Sequence, residues 1–62
     1  MEQDYVTILS TTHPHKFLVA HMKYRASDDE YVMARVSKAM KHEAATRLAH
    51  DWAIVLKLEV KI

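Results

Sequence analysis

The last ten residues, Ala53 to Ile62, read A-I-V-L-K-L-E-V-K-I, and from Ile54 every second residue is apolar: Ile54, Leu56, Leu58, Val60 and Ile62. Val55, Lys57, Glu59 and Lys61 alternate with them and are mostly charged. Side chains alternate sides along a strand, so this period of two gives one apolar and one solvated face, whereas a helix would scatter the same residues around its circumference. An apolar face of this kind needs a cover, and the preceding chain has to supply it. The tail is therefore predicted to be a one-sided closing strand roofed by the segment before it.

The absence of glycine limits how such a strand can be joined to others. Two-residue hairpins favour positive φ and are commonly Asn-Gly or Gly-X. This chain must turn through longer loops, or with Asp and His in their place. Phosphate-cradling loops that depend on glycine are excluded.

Tyr5 to Leu9 is β-branched and aromatic and predicts a first strand. Ser10 to His15 is polar, holds the only proline and predicts a loop. Lys16 to Arg25 predicts a second strand antiparallel to the first, with Leu18, Ala20, Met22 and Tyr24 on one face. Phe17, Val19, His21, Lys23 and Arg25 form the other, apolar at one end and basic at the other. A strand apolar on both sides at one end points to a second contact there, such as another subunit.

Two readings compete over Ala26 to Val36. Ser27-Asp28-Asp29-Glu30 fits a capping box, with acidic residues at the positive end of a helix dipole, and favours a helix from Asp28. The other reading makes Ser27-Asp28-Asp29 a hairpin loop and Tyr31 to Val36 a third strand. From Ser37 to Trp52 good helix formers dominate. Met40, Ala44, Ala45, Leu48 and Trp52 fall on one side, and His42, Glu43, Thr46, Arg47 and His50 mostly on the other. The stripe of the earlier half runs on into Glu43 and Arg47, so the helix bends near residues 41–43 or its halves face different partners. The expected fold is α+β, in the order strand, strand, long or broken helix, strand. A small antiparallel sheet would bury Ile54, Leu56, Leu58, Val60 and Ile62 against Met40, Ala44, Leu48 and Trp52.

Sixty-two residues are expected to form a single domain covering 1–62, near the lower size limit for folding alone. Half the residues are hydrophobic, more than so short a chain readily buries, so a homodimer or higher oligomer is expected. There is no cysteine, which removes disulfides, thiolate nucleophiles and zinc-thiolate sites and fits a reducing cytoplasm. No apolar run is long enough to span a bilayer, and the acidic start Met1-Glu2-Gln3-Asp4 is unlike a secretion signal.

The five histidines lack metal spacing. His13 and His15 are two apart in a loop, and His42 and His50 are separated by about 12 Å of helical rise. No metal or cofactor is expected. Asp28, Asp29 and Glu30 are explained as helix N-terminal charges. Ser10, Thr11 and Thr12 lie near His13 and His15 without an orienting acid or oxyanion site, so no catalytic residue is assigned. Nine Lys and Arg against eight Asp and Glu leave a charge of +1, without the excess of a dedicated nucleic-acid binder. A sheet face displaying His21, Lys23, Arg25, Lys57 and Lys61 with Phe17 or Tyr5 would still suit a single strand. Trp52 reads as the largest core side chain, and Met22, Met33 and Met40 as core filling.

The hairpin Tyr5–Arg25, the helix start at Ser27-Asp28-Asp29-Glu30 and the closing strand Ile54–Ile62 together resemble the small strand-strand-helix-strand proteins that bacteriophages and mobile elements encode to inhibit host enzymes or defence systems. The resemblance is architectural. It implies a non-enzymatic inhibitor of a protein partner; nucleic-acid binding through the basic and aromatic sheet face is the alternative. For a protein partner the exposed helix positions His42, Glu43, Thr46, Arg47 and His50 are the candidate contacts, with Phe17 and Val19 if no subunit contact covers them.

Overall fold

The computed structural model describes residues 3–61. Three strands lead the chain: β1 (Tyr5–Ser10), β2 (Phe17–Arg25) and β3 (Glu30–Val36). A helix, α1 (His42–Leu56), and a short β4 (Glu59–Lys61) follow. The class is α+β, but the order is β-β-β-α-β. The sheet runs β3-β2-β1-β4 and is mixed: β1–β2 and β2–β3 are antiparallel, while β4 lies parallel to β1. The Ile62 end of the expected strand, and Met1 and Glu2, lie outside the described residues.

The predicted β1–β2 hairpin is present. Its loop closes on Thr11, whose hydroxyl contacts the carbonyls of His13 and Lys16 at 3.1 Å each and accepts the His13 N–H at 3.2 Å. With no glycine available, His15 takes the positive φ of 62°.

Ala26 to Val36 is a correction to the favoured helix. Ala26–Asp29 is a four-residue turn, and the chain re-enters the sheet at Glu30 opposite Arg25. The acidic residues serve the turn instead of a helix dipole. Asp28 pairs with Arg25, Asp29 adopts φ 53°, and its carboxylate accepts the Tyr24 hydroxyl. Asp tolerates this conformation because its short polar side chain bonds locally. Opposite His21 and Met22 the β3 register shifts, with Ala34 as the extra residue. Pairing continues beyond β3: Ser37 N–H donates to the Val19 carbonyl at 2.9 Å, and Met40 and Phe17 exchange two 2.7 Å bonds. Met40 thus precedes the helix.

The closing segment is divided. Ile54, Val55 and Leu56 belong to the last turn of α1, and only Glu59–Lys61 form a strand. Lys57 ends the helix with φ 58° and ψ 46°; its N–H reaches the Ala53 and Ile54 carbonyls, and Leu58 N–H reaches Ala53 at 2.9 Å. This is the left-handed helix ending usually given to glycine. Leu58 and Val60 keep their inward place beside the core; Ile54 and Leu56 do not.

The core lies between the sheet and α1. Val6, Val19, Ala45, Ala49 and Ala53 are buried, with Ile8, Phe17, Met40, Leu48, Trp52, Leu58 and Val60 packed around them. The inward helix stripe is therefore Ala45, Leu48, Ala49, Trp52 and Ala53, while Ala44 is exposed. Alanine every fourth residue lets the helix axis sit close to the sheet, over β1, β2 and β4. β3 meets the helix through Arg35, whose guanidinium lies 5.1 Å from the centre of the Trp52 ring.

Candidate functional site

Because α1 takes the Val6–Val19 side, alternation fixes which residues lie on each side of the sheet. Phe17, Val19, His21, Lys23 and Arg25 share the helix side of β2. Leu18, Ala20, Met22 and Tyr24 point away from it, joined through the register by Tyr5, Thr7 and Leu9 of β1 and by Tyr31, Met33 and Val36 of β3. The sheet side opposite the helix is therefore apolar and aromatic, the reverse of the basic side expected from the sequence. Met33 is 58% exposed, Val36 51% and Leu9 37%. Ala20 is fully buried here beneath its larger neighbours, outside the helix-side core. Met22 and Met33 accordingly do not fill the helix-side core.

Three tyrosines organise this open face. The Tyr31 ring meets Tyr5 edge-on at 5.0 Å and Tyr24 edge-on at 5.5 Å. The Tyr31 hydroxyl donates to the Gln3 carbonyl at 3.0 Å. Lys61 Nζ stands 4.9 Å from the Tyr5 ring centre.

The residues proposed for nucleic acid are dispersed. His21 is largely buried, with Nε2 3.9 Å from an Asp4 carboxylate oxygen and no hydrogen-bond partner. Asp4 uses its other oxygen to accept the Tyr24 N–H at 2.9 Å. Lys23 and Arg25 follow on the same side of β2, Arg25 being paired to Asp28. Lys57 sits at the helix end and Lys61 on the opposite side of the sheet, so the five do not form one basic surface.

The residues proposed for a protein partner divide in two. Val19 is fully buried, and Phe17 packs against the core, bridged to Met40 and edge-on to the His42 ring at 4.9 Å. Val19 is closed to a partner and Phe17 is half-buried: the helix and Met40 cover the end of β2 where a subunit contact is expected from the sequence. On the helix, Glu43, Arg47 and His50 are exposed on the outer side. His42 is exposed at the first turn, and Thr46 lies to one flank with its hydroxyl on the His42 carbonyl at 2.9 Å.

Ile54 and Val55, expected in a strand, lie on the helix instead and are exposed there. They are 75% and 78% exposed. Nine residues at about 100° each turn Ile54 about 180° from Ala45, onto the same outer side as Glu43 and Arg47. Beside Ile54 an open groove of about 410 Å³ runs between the helix end and β4, lined by His50, Ala53, Ile54, Leu58, Glu59 and Val60. The Ala45-Ala49-Ala53 spacing was the signal that could have placed Ile54 outside.

Among the described residues there is no group of three or more His, Cys, Asp or Glu able to hold a metal ion. No helix among them is long and apolar enough to cross a membrane. Searches against protein-family models, curated proteins and solved structures find no match to this chain.

Proposed function

We propose that this protein acts by binding and modulating, in the inhibitory sense, a protein partner, with no chemistry of its own. The contact is the outer surface of α1 and the groove at its end. The partner supplies an extended segment that lies along the outer edge of β4 and places an apolar side chain beside Ile54. The observation that carries this reading is the pair of exposed aliphatic side chains, Ile54 and Val55, next to an open groove and an edge strand. An edge strand offers unpaired backbone groups to a second chain, and a neighbouring apolar pocket gives such pairing its specificity. Glu43, Arg47 and His50 form the polar rim. Interfaces of this kind draw most of their affinity from a few apolar anchors inside a polar border.

The test is retention of a partner from host lysate by the immobilised wild-type chain and by single variants. Ile54→Asp should lose the partner, and Arg47→Glu should weaken it, with the fold unchanged by circular dichroism. Met33→Glu, on the opposite layer, should retain it. Loss with Met33→Glu and retention with Ile54→Asp would reject this surface.

One observation favours nucleic acid as a second reading: Lys61 stands over Tyr5 on an open sheet face that also holds Tyr24 and Tyr31. The three rings meet edge-on, so they do not lie side by side as flat platforms for bases. A labelled single strand that fails to bind even at low salt removes this reading.

A further inference from the structure

We propose that the open face of the sheet is covered by the same face of a second copy, packed sheet to sheet about a two-fold axis. The axis lies between the two sheets and runs across the strands. This concerns the layer opposite Ile54 and α1; Glu59 borders both surfaces, and Met33→Glu, which touches the sheet face alone, tells the two readings apart.

The register arranges this face in rows. One row is Glu59, Tyr5, Met22 and Met33; the next on the same face is Lys61, Thr7, Ala20 and Val36. Between them lies the level of Val60, Val6, His21 and Arg35, whose side chains take the helix side, and His21 is the midpoint of β2. A two-fold axis at that level sets the first row of each copy on the second row of the other. Tyr5 then meets Thr7 of the second copy and Met33 meets Val36, while Met22 lies over the larger neighbours that already bury Ala20. Large against small is how two facing layers interdigitate. Glu59 meets Lys61, and the pair occurs twice. Further along β2, Tyr24 falls over Leu18. A two-fold interface requires a surface complementary to itself, and these rows provide one.

The chain also needs a cover that is always at hand. Among the described residues, the buried ones are Val6, Val19 and four alanines, Ala20, Ala45, Ala49 and Ala53. A core this small leaves the second apolar face as the main further source of burial, and a second copy is present wherever the first is. Three strands of about 20–30 Å and a β4 of about 10 Å, spaced about 4.8 Å apart, present roughly 400 Å² in projection. Protruding side chains raise the accessible area, so a pair of faces removes on the order of 1,000 Å² from water, the lower bound for a specific interface. The expected assembly is a dimer that dissociates on dilution.

Sedimentation equilibrium of the intact chain from about 1 μM to about 1 mM tests this. The mass should rise from 7.2 kDa towards twice that value. Met33→Glu, at a position exposed in the single chain, should weaken association about a hundredfold with unchanged circular dichroism. Glu59→Lys should weaken it about tenfold by placing like charges opposite each other, and adding Lys61→Glu should restore it. A single-chain mass at the highest concentration overturns the proposal. So does a mass curve indifferent to Met33→Glu, or a double charge reversal that fails to recover. A chain that stays single while this face takes up an oligonucleotide or another protein overturns it too.

Discussion

Lys57 stands where a helix ending in the left-handed conformation ordinarily has glycine, and this chain has none to place there. A side chain with a Cβ costs roughly 1–2 kcal/mol in that conformation, against which glycine's greater freedom in the unfolded chain must be set. Lys57→Gly is therefore expected to stabilise the fold by about 0.5–1 kcal/mol, read as a higher urea midpoint with an unchanged slope. His21 presents the converse case, a buried Nε2 without a hydrogen-bond partner. An unsatisfied buried polar atom costs about 1–3 kcal/mol, so His21→Leu should leave stability level or raise it by about 1 kcal/mol. A loss above about 2 kcal/mol would mean that the Asp4 contact at 3.9 Å is worth more than its length implies.

At the scale of elements, what could be read from the sequence depended on whether two periodic signals competed. β1 and β2 were legible because Tyr5–Leu9 and Phe17–Arg25 carry β-branched and aromatic residues with only one period to follow. β3 was misread because Ser27-Asp28-Asp29-Glu30 satisfies a capping box and a turn equally well. The choice was made by pairing with β2, a tertiary term that local residues do not contain. The tail was misread at Ile54–Leu56, where three aliphatic residues suit either period. The Ala45-Ala49-Ala53 stripe carried the helix through them, and Lys57 stopped it. The same stripe gives a test of close packing. Ala49→Leu adds volume where the helix meets the sheet and should cost about 1–3 kcal/mol in a thermal or urea melt, whereas Ala44→Leu on the exposed side should cost less than about 0.5 kcal/mol.

For the whole molecule, the decisive quantity is which side of β2 the helix covers. Alternation divided β2 correctly into two sets, but both are apolar near Phe17–Ala20, and nothing local says which set is roofed. The outcome decides which side chains are exposed as well as the fold. With Val19 inside, Val19 is closed to contacts, Phe17 is half-buried, and the basic residues of β2 turn towards the helix side. Leu9, Met33 and Val36 are left on an open face with the tyrosines. The groove at the helix end and the apolar side of the sheet, on which the two proposals rest, are consequences of that choice. Glu43, Arg47 and His50 kept their expected exposure because the solvated side of a helix follows from its period alone.

Nuclear Overhauser contacts from the methyl groups of Ala45 and Ala49 measure that choice directly. They should connect to the methyls of Val6 and Val19, with none to Leu18, Ala20 or Met22. Contacts to Leu18 and Met22 in their place would put the helix on the other side of the sheet and contradict both proposed surfaces.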